Sequence, residues 1–135
     1  MMLRRYLMIA FAALVMASCT PKDKTADSNE AAEEANEEKF DDKKDEKDAE
    51  FVSEVVASNY AEIEMARLAS TRSDNAQVKE VAKMLEEDHN KLLTELQAFA
   101  GTKAISVPSE PKDDAKKKIE DLTKEEDIKD FNKEW

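Results

Sequence analysis

The chain has one glycine, one cysteine and one histidine in 135 residues, and each shortage excludes something. A single glycine rules out a glycine-rich phosphate cradle. A single thiol, Cys19, permits no internal disulfide framework. No serine sits in a nucleophile-elbow setting, so the residues for acyl-transfer chemistry are missing too. Positive charge is short as well: 21 Lys and Arg stand against 32 Asp and Glu, a net charge of −11. Such a surface repels nucleic acid and anionic lipid headgroups. The lysines of "DDAKKKIED" are balanced by neighbouring acids and read as a solvated face. These absences lead to the expectation of a non-enzymatic protein with no nucleic-acid partner.

Long apolar runs are equally scarce. The longest, Tyr6 to Met16, follows Arg4 and Arg5 and is too short for a membrane span, which needs roughly twenty residues. A basic start, a short apolar run and then small residues have the layout of a secretory signal peptide over residues 1–18. The ending "MASC" resembles a bacterial lipobox. That resemblance implies cleavage before Cys19, lipidation of Cys19 and membrane attachment through several acyl chains, which anchor stably where one does not. The alternatives are a plain secreted protein with a stray cysteine, or an uncleaved anchor. Thr20-Pro21-Lys22-Asp23 lack an aspartate in second place, the usual inner-membrane retention signal. By resemblance, then, the expected location is the cell envelope, at the outer rather than the inner membrane.

From Cys19 to Asp48 the chain is charged residues, alanine and small polar groups with one aromatic, Phe40. It has no apolar stripe whose burial would offset the entropy of ordering, so residues 19–48 are expected to be a solvated acidic tether, even where helix forms. Residues 49–135 are expected to form an all-α domain. "AEFVSEVVASNYAEIEMARLAS" carries Val52, Val55, Val56, Ile63, Met65 and Leu68 at three- and four-residue steps, an amphipathic helix of five to six turns. "STRSDN" supplies a turn, with Ser73 or Asp74 as N-cap of a second helix running from about Asn75 to Ala100. Its stripe is Val78, Val81, Ala82, Leu85, Leu92, Leu96 and Phe99, with Met65 and Met84 at core spacing, and Gly101 is expected to end it as a left-handed C-cap. Two long helices joined by a few residues make an antiparallel hairpin. After the extended "ISVPSEP", Lys112 to Leu122 reads as a short helix, and Thr123 with Glu126 reads as a capping box opening another.

"FVSEVVASNYAEIEMARLAS", "SDNAQVKEVAKMLEEDHNKLLTELQAFA" and "ISVPSE" together resemble domain of unknown function 4142, a ferritin-like family of secreted and lipid-anchored bacterial proteins. The matching features are Glu62 in "AEIEMARLA", "VKEVAKML", the Asp88-His89 pair and the valine-proline after the second helix. Family members usually continue past the position of Trp135 into a long helix with a second aspartate-histidine pair. The resemblance therefore implies a four-helix bundle of which this chain holds the first hairpin, the connection and the start of the rest, C-terminally truncated and incomplete.

Ferritin-like di-iron sites draw on Glu-x-x-His, and Glu86 with His89 has that spacing. Glu62 also falls near the inward face. Counted from the turn at Arg72 and Ser73, however, Glu62 and His89 differ in height by roughly 9 Å at 1.5 Å per residue. No metal site is therefore expected within one chain, with Glu62, Glu86 and His89 the candidates for iron or another divalent metal if one exists. The leading reading of His89 is a half-buried imidazole hydrogen-bonded to a carboxylate across the hairpin. The expected function is a lipid-anchored interaction or structural module that binds an unknown protein or itself. The alternative is a di-iron-like metal-binding module completed by dimerisation.

Overall fold

A computed structural model describes residues 27–135, and among these every regular element is an α-helix. They are α1 (Ser28–Lys39), α2 (Lys43–Arg72), α3 (Ala76–Thr102), α4 (Asp113–Lys124) and α5 (Ile128–Glu134). The expected signal peptide and the expected lipidation site at Cys19 lie outside the described residues.

The hairpin of α2 and α3 is the frame. Helix α2 is central, packing against α3, α1 and α4. Being surrounded, it buries small residues around much of its girth: Ala49, Ala57, Ala61, Ala66 and Ala69, with Val56 and Ile63. Alanine lets neighbouring helices approach closely and favours helix intrinsically, which offsets the lower propensity of the β-branched residues beside it. Between α2 and α3 the connection is three residues, and its capping differs from the sequence expectation. Asn75 is the N-cap, its Oδ1 accepting from the amides of Gln77 and Val78. Ser73 instead closes α2, its amide donating to Ala69, while its Oγ accepts from the Asn75 amide. Asp74 is left free to accept from Asn132 of α5.

Helix α1 departs most from expectation. Residues 28–39 are a docked helix, and α2 begins six residues before the expected domain boundary at Ala49. What holds α1 is a polar lock rather than an apolar stripe. Asn36, almost fully buried, donates from Nδ2 to the Ser106 carbonyl (2.8 Å) and to Ser53 Oγ (3.2 Å), while its Oδ1 accepts from the Ser106 amide (2.7 Å). Lys39 donates to Ala104 O and Ser106 Oγ, and Asn29 to Pro111 O. The segment from Ala104 to Pro111 therefore runs antiparallel along α1, its own backbone satisfied by α1 side chains. A buried amide with all its partners present fixes register without any hydrophobic signature.

Gly101 is not the C-cap. Helix α3 continues through it to Thr102, and Ala104 takes the left-handed backbone (φ 56°). The Ala104 amide bonds Gly101 O (3.3 Å) and the Ile105 amide bonds Ala100 O (3.0 Å), the two hydrogen bonds of a Schellman motif. Nor does the Thr123 capping box form. Helix α4 runs on through Thr123, whose hydroxyl donates back to Ile119 O, and Asp127 caps α5 by accepting from Lys129 and Asp130 amides.

Helix α5 closes the turn end of the hairpin. Phe131 is fully buried with Ala69, Ala82 and Leu122, and Met65, Leu68, Val78, Ile128 and Trp135 pack around them. Arg72 ties this end together, its guanidinium donating to the carbonyls of Leu122, Thr123 and Glu125 while lying 4.7 Å from the Phe131 ring centroid. Three donors of one rigid fork thus satisfy carbonyls that the end of α4 leaves open.

Candidate functional site

His89 meets Asn59 and Glu62 across the hairpin. Its Nδ1 lies 2.7 Å from Asn59 Oδ1 and 2.9 Å from Glu62 Oε2, and Asn59 Nδ2 donates to the His89 carbonyl at 2.7 Å. Two oxygen acceptors face Nδ1, so Nδ1 carries the proton. The amide orientation is forced as well: flipping Asn59 would set its oxygen against the carbonyl of His89. The consequence is a histidine whose ring is held at Nδ1 by two residues of α2 and whose second nitrogen, Nε2, has no hydrogen-bond partner among the described residues.

Glu62 reaches His89 although residue counts from Arg72 and Ser73 set the two roughly 9 Å apart in height. Asn59 and His89 are equally far from Asp74, the middle of the connection, and Glu62 is three residues nearer, roughly 4.5 Å of rise. Side chains lean toward the N-terminus of their own helix. In an antiparallel pair Glu62 therefore leans away from the turn and His89 toward it, and the residual offset closes. Glu86 does not join them. It accepts from Arg67 Nε at 2.9 Å, outside the cluster. Among the described residues no group of three or more His, Cys, Asp or Glu is placed to hold a metal ion. One imidazole and one carboxylate fall short of the three or four protein ligands of a typical transition-metal site.

Asn59, which the sequence reading passed over, is the buried half of this arrangement at 3% exposure. Its signal was positional: a polar residue in the inward stretch of α2 at the height of the only histidine.

The cluster opens onto a groove. Ser58, Glu62 and Met65 of α2 form the floor, with Leu85, His89 and Leu92 of α3 along one wall. Lys112, Asp114 and Ala115, at the start of α4, stand along the other side of that floor. Trp135 lies at the turn end, where a depression of about 380 Å³ is bounded by Glu62, Met65, Leu85 and His89. At the other end Phe51 leads to a second depression with Phe40, Val52, Phe99 and Ile105. Apolar side chains stand open along this path: Phe51 is 66% exposed, Phe99 47% and Leu92 41%. Val81 and Met84 of the expected stripe are exposed too, so α3 buries a narrower face than its apolar residues could cover.

No helix among the described residues is long and apolar enough to cross a membrane. The family model for a domain of unknown function, DUF4142, matches residues 21–135. The chain belongs to the DUF4142 family. That match begins upstream of α1, in keeping with a DUF4142 unit that includes this helix rather than starting at Ala49. No curated protein and no solved structure matches the chain. For this DUF4142 member the groove and its histidine are therefore read from their own chemistry.

Proposed function

We propose that this protein is a lipid-anchored component of the bacterial envelope, at the outer membrane, whose DUF4142 domain is a non-enzymatic interaction module. The observation that carries the reading is the open groove. Phe51, Val55, Ser58, Glu62 and Met65 on α2 and Leu85, His89, Leu92, Leu96 and Phe99 on α3 both follow alternating four- and three-residue steps. That is the spacing with which bundle helices receive another helix. Large apolar side chains left open along such a path mark a protein-binding surface. The lipobox-like "MASC" supports anchoring at Cys19.

The groove is tested in cells with a photo-crosslinking side chain at Leu92, and at exposed Glu126 as control. Specific adducts at Leu92, lost on Phe51→Ser, are expected; equal labelling at both sites would sink the interaction reading. Anchoring is tested separately by palmitate incorporation, expected in the native chain and absent in Cys19→Ser.

A second reading, a ferritin-like metal-binding module completed by a second chain, is favoured by one observation. His89 donates Nδ1–H toward the Glu62 carboxylate, the arrangement that orients a metal-ligating histidine. Stoichiometric iron or zinc in purified protein, lost with His89→Ala and linked to a dimer, would establish it.

A further inference from the structure

We infer that α1 is a strap whose grip on the hairpin is set by ionic strength: facing carboxylates push it away at low salt, and a polar lock holds it once they are screened. The grip itself is slight. Ala32 and Asn36 are the buried residues of α1, so the helix brings one methyl group to the interior. Hydrogen bonds supply the rest of the hold: Asn36 with Ser53 and Ser106, Lys39 with Ala104 and Ser106, Asn29 with Pro111, and the Ser28 hydroxyl accepting from the Ser109 amide at 3.2 Å. On release most of these groups exchange one partner for water, so each bond contributes little net. Twelve residues is also about the length at which a helix alone is marginal in water. An element held in this way opens well before the α2–α3 hairpin does.

Charge works against that grip. Helices α1 and α2 border a cavity of about 320 Å³, lined by Glu33 and Glu37 from α1 and by Glu46, Glu50 and Glu54 from α2. Lys112, the residue before α4, is the one cation lining it among the described residues. Its ammonium lies 2.6 Å from Glu54 Oε1. That hydrogen bond first, with the charges of Glu54 and Glu33 adding to it, holds the lysine above its usual value. A single positive charge thus bridges the two helices and leaves the interface with an excess of facing carboxylates. Lys116 of α4 draws on Asp27 at the start of α1, but as the least of the influences on that carboxyl.

Screening decides which side wins. A cavity of that volume is roughly 8 Å across, well inside the Debye length of about 30 Å at about 10 mM salt and well outside the length of about 3 Å at about 1 M. Repulsion across it is therefore nearly full in the first condition and nearly absent in the second. The bonds of Asn36, Asn29 and Ser28 join neutral groups, so screening leaves them in place. The link suits such a motion. Three residues outside helix, Phe40 to Asp42, join α1 to α2, and half-buried Phe40 borders the depression of Phe51, Phe99 and Ile105 as a pivot. Docked, the chain enters the fold at Asp27, beside Ser109 and Pro111. Released, it enters at Asp42, at the open end of the hairpin.

The test is hydrogen exchange of the full chain, read separately for α1 and α3. Between about 10 mM and about 1 M salt, protection of α1 is expected to rise roughly tenfold while that of α3 changes less than about twofold. Sodium chloride and tetramethylammonium chloride at equal ionic strength should act alike, since screening rather than a bound ion is the cause. Glu37→Gln with Glu50→Gln should raise the low-salt protection of α1 at least about fivefold and flatten its salt dependence. Glu38→Gln with Glu64→Gln removes the same charge from the same two helices outside the cavity, and should leave α1 near native. Glu38 stands as close to the α1 C-terminus as Glu37, so the helix dipole acts alike on both pairs. Lys112→Gln should lower the low-salt protection of α1 about fivefold, with Trp135 emission unchanged as the mark of an intact hairpin.

Protection of α1 that is flat or falls with added salt overturns the inference, as does an effect confined to one of the two salts. Equal gains from the two pairs of neutralised acids overturn it as well, because the facing carboxylates would then have no special part. Protection of α1 equal to that of α3 at low salt would show a helix fixed to the body and no strap at all. These outcomes are independent of crosslinking at Leu92, which tests the groove alone.

Discussion

Exchanging the residues at positions 101 and 104 tests the end of α3 directly. Gly101 sits in the last turn of the helix with open space where a Cβ would point. Glycine in a helix is about 0.8–1.0 kcal/mol less favourable than alanine, and less near a terminus, so Gly101→Ala should stabilise by about 0.5 kcal/mol or slightly more. Ala104 holds a φ of 56° to make the Schellman hydrogen bonds. A left-handed L-residue costs roughly 1–2 kcal/mol, of which about 0.4–1 kcal/mol would be returned as the extra freedom of unfolded glycine. Ala104→Gly should therefore gain about 0.5–1 kcal/mol. The two positions share a hydrogen bond, Ala104 N–H to Gly101 O, so a double-mutant cycle rather than a sum gives the combined value. A gain of about 1–1.5 kcal/mol would raise Tm by roughly 4–8 °C. The assay is urea unfolding followed by circular dichroism, with an unchanged m-value marking a change of stability alone. Destabilisation by Gly101→Ala, with no gain from Ala104→Gly, would mean that the helix ends on its glycine as the sequence pattern suggests, and the assignment of Ala104 to the left-handed position would be wrong.

Three further outcomes are expected. Asn36→Ala should cost about 1–3 kcal/mol, because the Ser106 amide loses its partner inside the fold, and limited proteolysis should then cut α1 before the hairpin; unchanged protection would return α1 to the status of a tether. Arg72→Ala should destabilise by about 2–3 kcal/mol in urea unfolding, with Arg72→Lys restoring less than half, since an ammonium cannot reach three carbonyls as a planar fork does. The Asn29 side chain first, and then the Asn29 backbone amide, hold the Asp27 carboxyl below the usual aspartate value of 3.8. A depressed folded-state value means its contribution is fully present above the unfolded value and lost as pH falls through the folded one, so helicity at α1 should decline below about pH 4. Asp27→Asn should flatten that acid limb in hydrogen-exchange measurements of α1.

The long hairpin was legible because apolar residues at helical steps on either side of "STRSDN" leave little choice of topology. What escaped is what small and polar groups decide. Helix α1 docks through Asn36, which is polar, and Ala32, whose single methyl makes no apolar stripe, so composition pointed to a solvated segment. The caps were misplaced by one to four positions because several residues in each turn could chemically serve, and packing of the following segment selects among them: Asn75 over Ser73 or Asp74, Asp127 over Thr123, Ala104 over Gly101. The pairing of His89 with Glu62 was visible as residue type and missed as geometry, because residue counts measure the height of Cα atoms and not the opposed lean of side chains in an antiparallel pair.

The docking of α1 also sets how far the domain can stray. A thirty-residue leash from Cys19 to Ala49 would reach at most about 100 Å, long enough to search well away from an anchoring surface. With Asp27 already fixed against the body of the fold, eight residues remain, and their greatest span is about 28 Å. If Cys19 carries the lipid, the domain rides close to the bilayer as a moored float rather than a kite, and only partners that come to that layer meet its groove. Undocking α1 by losing the Asn36 lock would pay out the rest of the line.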